Sequence, residues 1–163
     1  MRYRHADPDE LEWRPLPWGE APKARLMPTV EGHLDAVRRA CYDDVLHRIG
    51  GSRPVRVVIY LRAADGLDTG FWDRTLDRLA TEHGWVVSEQ RFTDVGGGFF
   101  PEFERACQYT RQGRADGILT IRRATVPLDD QAYVDRLERL REQTTFVAFL
   151  RQVDPTHPGG SSW

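Results

Sequence analysis

The chain has 163 residues, a formal net charge of −2 and 40% apolar residues, enough to bury the core of one domain with an appendage. Acids and bases are interspersed, whereas a dedicated DNA binder carries a basic excess or a basic stripe. No apolar run has the length of a membrane span and the N-terminus lacks a signal-peptide pattern, so a cytoplasmic protein is expected.

Lys23 is the only lysine among the basic residues, which fits the codon bias of a G+C-rich genome. The two cysteines, Cys41 and Cys107, sit among apolar neighbours with no CxxC, and read as buried free thiols. Residues 1–28 hold Pro8, Pro15, Pro17, Pro22 and Pro28, which forbid a long helix. This is an extended arm, either disordered or pinned to a surface by Trp13 and Trp18. Over 29–50, Val30, Leu34, Val37, Cys41, Val45 and Ile49 recur at helical spacing, with Thr29 as N-cap and Gly50-Gly51 as the stop. That stripe either covers its own domain or pairs with its copy in a homodimer. The dimer is the favoured expectation, because the domain that follows already supplies helices for both faces of a sheet.

From Arg56 the chain alternates strand and helix. The run Val57 to Leu61 reads as a strand buried on both faces. A helix over 68–83 carries Phe71, Trp72, Leu76 and Leu79 on one side, and Gly84 ends it. Trp85-Val86-Val87 begins a second strand, 94–98 is a glycine loop, and 101–112 is a helix opened by Pro101. A third strand spans 117–121, a helix with Tyr133, Val134, Leu137 and Leu140 spans 129–143, and a fourth strand spans 145–150. The predicted architecture is α/β: a three-layer domain over 55–151 with a mainly parallel four-stranded sheet, followed by a flexible tail over 152–163.

The residues add a resemblance to this pattern. Tyr60-Leu61-Arg62-Ala63-Ala64 ends the first strand, and Gly84-Trp85 closes the next helix. Phe92-Thr93-Asp94-Val95-Gly96 leads into the glycine loop, and Pro101 and Gly113-Arg114-Ala115-Asp116 bracket the following helix. In this order and spacing they resemble the N-terminal catalytic domain of serine recombinases, the resolvase/invertase family. The resemblance implies a resolvase-like fold. It also locates the family's chemistry, in which a serine attacks a DNA phosphate while arginines hold the charge.

That chemistry is expected to be absent. The nucleophile's position is Ala64, and the remaining serines, Ser52, Ser88, Ser161 and Ser162, lie elsewhere. The family's Asp and Arg after the third strand fall on Ala124 and Thr125, and its Arg-Gln pair falls on Phe71-Trp72. No catalytic residue is assigned. Arg62, Asp65, Asp94, Arg122 and Arg123 remain as a residual anion pocket or, as the plainer alternative, as structural ion pairs. No cofactor and no metal site are expected, since the histidines are scattered and the glycine loop lacks GxGxxG. The family's long dimer helix and DNA-binding domain are not seen after the last strand. The expected function is a catalytically inactive, resolvase-like module working through protein–protein contacts, as a homodimer or regulatory partner. The alternatives are a DNA-associated accessory protein with weak DNA binding, and a small-molecule or nucleotide sensor.

Overall fold

A computed structural model describes residues 29–63, 67–96, 98–154 and 156. The N-terminal arm with its tryptophans, and Ala64 and Asp65, lie outside the described residues. Four parallel strands form one sheet in the order β2-β1-β3-β4: β1 (Arg56–Ala63), β2 (Val86–Val95), β3 (Gly117–Thr120) and β4 (Phe146–Phe149). The α/β class and the parallel sheet are as the alternation of elements implies. Residues alternate between the two faces, so Val58 and Tyr60 join one apolar cluster while Val57, Ile59 and Leu61 join the other.

The α-helices among the described residues are α1 (Val30–Ile49), α2 (Thr69–Glu82), α3 (Pro101–Arg111), α4 (Asp130–Glu142) and α5 (Leu150–Val153). Their ends follow local chemistry. Thr29 Oγ1 accepts from Gly32 N at 3.0 Å, and Gly50 takes a left-handed φ of 65° after the last turn of α1. Asp68 and Asp129 cap α2 and α4 in the same way, accepting from Phe71 N and Ala132 N. Phe103, Ala106, Tyr133, Leu137 and Leu140 from α3 and α4 fill one side of the sheet, and Leu76, Leu79 and Ala80 from α2 fill the other.

Helix α1 packs within its own chain. Leu34, Cys41, Val45 and Ile49 are buried, and the Cys41 thiol donates to the carbonyls of Leu137 and Thr145 at 3.6 and 3.5 Å. The stripe is therefore occupied, and the reason offered for a helix left free to pair does not hold. Helices α2, α3 and α4 cover the faces but leave the β4 edge open, and α1 lies along that edge beside α4. Val30 is exposed and Val37 is half-buried, so the buried seam is narrower than the full apolar stripe. Arg38, although a charged residue, lies on the seam and is fully buried.

Three further differences have physical causes. Phe71 is exposed, because the buried face of α2 runs through Leu76, Leu79 and Ala80 and leaves Phe71 on its flank. Strand β2 continues through the polar stretch to Val95, where a glycine loop was expected from Asp94. An edge strand pairs with one neighbour only, so its outer positions stay wet and carry Glu89, Gln90 and Thr93. The chain after β4 turns at once into α5, whose Val153 is buried, so ordered structure extends past the expected start of the tail. Gly117 shows close packing: a Cβ there would lie 2.4 Å from the Phe146 ring. No helix among the described residues is long and apolar enough to cross a membrane.

Candidate functional site at the carboxyl ends of the strands

The sheet order reverses between β1 and β3, since β1 leads outward to β2 and the chain then crosses back to β3. In open parallel sheets, ligands bind outside the carboxyl ends of the strands at such a switch point. Arg62 and Asp94 meet here, in register on neighbouring strands.

Asp94 is committed to structure. It is buried, and its Oδ2 accepts from the Tyr60 hydroxyl at 2.8 Å. Its two oxygens also accept from Glu102 N and Phe103 N, each at 3.0 Å. Phe100, at the N-cap of α3, provides no side-chain cap, so a carboxylate from β2 satisfies the first turn from outside the helix. Burial, and then the bond to Asp94, push the Tyr60 phenol well above its usual value, so it stays a neutral donor.

Arg62 differs. Its guanidinium stacks over the Phe100 ring at 5.4 Å and has no carboxylate partner among the described residues. Arg123 is held by its own loop: it donates to the carbonyls of Val126 and Leu128 at 3.2 and 2.7 Å, approaches Asp130 at 3.3 Å, and lies 4.0 Å over the Tyr133 ring. Arg122 is exposed beside it. Of the expected anion pocket, then, Arg62 and Asp94 are adjacent, Asp94 and Arg123 are internal ties, and Asp65 lies outside the described residues. Thr125 is buried, whereas Ala124 is exposed.

An open groove of about 390 Å³ lies next to this end of β2, lined by Thr93, Asp94, Val95, Gly96, Phe99, Pro101 and Glu102. Val95 and Phe99 in its wall are 77% and 78% exposed, and Phe71 at the start of α2 is 51% exposed. Both cysteines are interior, and burial pushes each thiol up to about 11, so neither is a ready nucleophile. Among the described residues, no group of three or more His, Cys, Asp or Glu side chains is gathered to hold a metal ion.

Comparison with protein-family models, curated proteins and solved structures finds no match. The likeness to serine recombinases rests on the residues quoted from the sequence.

Sequence reasoning missed the use of Asp94 as a remote helix cap. A signal was present: α3 opens Phe100-Pro101 with no Ser, Thr, Asp or Asn at its N-cap, so its first N–H groups needed an acceptor from elsewhere. It also missed the burial of Arg38, although the 34, 38, 41, 45 spacing places that residue on the seam of α1.

Proposed function

We propose that this chain is a non-catalytic α/β module that works by docking a protein, with a second copy of itself as the first candidate partner. The observation that carries the reading is the way polar groups are used at the switch point. The position where the recombinase resemblance would need a serine is Ala64. At the carboxyl ends of the described strands, Asp94 gives its oxygens to Tyr60 and the start of α3, and Arg123 directs both Nη atoms to carbonyls of its own loop while its Nε is buried. A general base or phosphate clamp needs groups free to face a substrate, and those two are spent.

The docking half of the reading draws on Val95 and Phe99, two large apolar side chains standing in water on one groove wall. Contiguous exposed apolar surface marks interaction sites, and these two side chains share one groove. Helix α1 is no longer the candidate contact, because its seam is filled by its own domain.

Two measurements test the reading. Incubation with supercoiled plasmid, followed by denaturation, is expected to leave no protein attached to DNA; a covalent adduct would overturn the non-catalytic half. Light scattering at tens of micromolar is expected to give a dimer that Val95→Ser with Phe99→Ser dissociates without loss of helical signal. A monomeric wild-type chain would remove the second copy as the partner.

A further inference from the structure

We infer that the corner between α1, β3, β4 and α4 is a binding site for a small tetrahedral oxyanion, such as a phosphate or phosphate monoester, centred on Arg38. This goes beyond the docking reading and concerns the β3–β4 side of the sheet rather than the β2 edge.

The Arg38 side chain is 0% exposed, and its guanidinium lies 4.7 Å over the Phe149 ring at the carboxyl end of β4. Its Nη2 donates to Asp35 Oδ1 at 3.0 Å, but Nε and Nη1 have no acceptor among the described residues. An arginine keeps its charge in proteins, so these N–H groups are buried donors on a cation rather than a neutral group in waiting. Burying such a charge without full pairing is among the costlier arrangements a core can hold.

The available counter-charge is small. Asp35 is shared by Arg38, Arg39 and Arg151, so one carboxylate pairs with three guanidiniums, and Asp43 adds only a weaker attraction to Arg38. The other groups nearby are hydroxyls, which carry no charge and can each donate to an anion. The Tyr133 hydroxyl and Thr120 Oγ1 are buried without partners among the described residues. Thr120 pairs in register with Phe149, the residue beneath Arg38, and Arg38 and Arg123 both act electrostatically on Tyr133. Burial holds that phenol at about 12, so it remains an O–H donor at neutral pH.

Unsatisfied donors thus come from a helix on one side, a strand beneath and a second helix opposite, with a surplus of positive charge. A tetrahedral oxyanion accepts from several directions at once, whereas a carboxylate accepts mainly in one plane. Asp35 and Arg151, which border Arg38, are 25% and 16% exposed, so the ion pair between them separates the site from water.

Thermal unfolding of the full chain in inorganic phosphate, against sodium chloride at matched ionic strength and against acetate, tests this. Phosphate is expected to raise the melting temperature by about 3–6 °C over chloride at concentrations well above its dissociation constant. Arg38→Met is expected to abolish that response, with a phosphate-free melting temperature equal to or above wild type, because the unpaired charge is gone. Tyr133→Phe, which removes only the hydroxyl, is expected to weaken phosphate binding about fivefold by calorimetry. No phosphate response over chloride in the wild type overturns the site. So does a response that persists in folded Arg38→Met, and an equal response to acetate overturns the tetrahedral class. If Arg38→Met does not fold, unchanged phosphate affinity in Tyr133→Phe overturns the assignment.

Discussion

Single residues explain most of what the polar groups do in this domain. Asp116, at the amino end of β3, accepts from Arg53 Nη1 and Nη2 at 2.7 and 2.8 Å and from Arg56 N at 2.8 Å. Burial alone would raise its pKa, but the bonds from Arg53 and Arg56 outweigh that and hold it below the usual carboxylate range. A depressed folded pKa contributes stability that is complete above the unfolded value near ~3.9 and is lost as pH falls through the folded value. Asp116→Asn is therefore expected to cost about 1–3 kcal/mol near neutral pH, with the gap from wild type closing in strongly acidic buffer. Urea unfolding of both proteins across that range measures it. Asp94 has a similar structural weight at the other end of the sheet, and there its position invited a functional reading. A carboxylate at the carboxyl end of a strand is a candidate acid or base in sequence. Its bonds to Tyr60 and the α3 backbone turn it into a clip between β1, β2 and α3.

At the scale of elements, α1 is where pattern and packing part. Its period was legible and its ends fell where the caps put them, but the period could not say which surface the stripe would meet. The β4 edge decided that, since an uncovered edge strand offers unpaired backbone groups and apolar side chains to any neighbour. Introducing lysine at Leu34 and Cys41 together is expected to unfold the domain, or to lower its melting temperature by well over 5 °C, because both side chains are interior and the buried group between them on the α1 seam, Arg38, is already a cation. Thermal melts followed by circular dichroism read the outcome. A variant of unchanged melting temperature would mean that α1 is dispensable for the domain's own core. Strand β2 shows the same division. Its first residues looked like a strand, but its polar continuation could be recognised only once β1 lay on one side of it and water on the other.

At the scale of the whole molecule, the described residues form a parallel sheet with helices on both faces and one helix along an edge, and most of their arginines pair with carboxylates of the same chain. Arg91 joins Asp73 and Asp77, Arg136 joins Glu104, and Arg141 joins Asp44. With these arginines paired to carboxylates among the described residues and a net charge of −2, the chain has no overall positive charge to draw it to a duplex. Fluorescence anisotropy on short duplexes at physiological salt is expected to give dissociation constants weaker than about 1 µM, with steep salt dependence. A tighter value would restore DNA as the partner.

The amino-acid sequence by itself determined the order of strands and helices, the cap at each end of α1, the interior place of both cysteines and the alanine at position 64. Those features depend on local periodicity and on the chemistry of neighbouring residues, which the chain carries in its order. Only the tertiary structure decided that α1 closes the β4 edge, that Asp94 caps α3 from a strand, and that Arg38 is buried with donors unspent. Each of those is a meeting of residues distant in the chain, and its energy depends on which groups lose water together rather than on any spacing along the backbone.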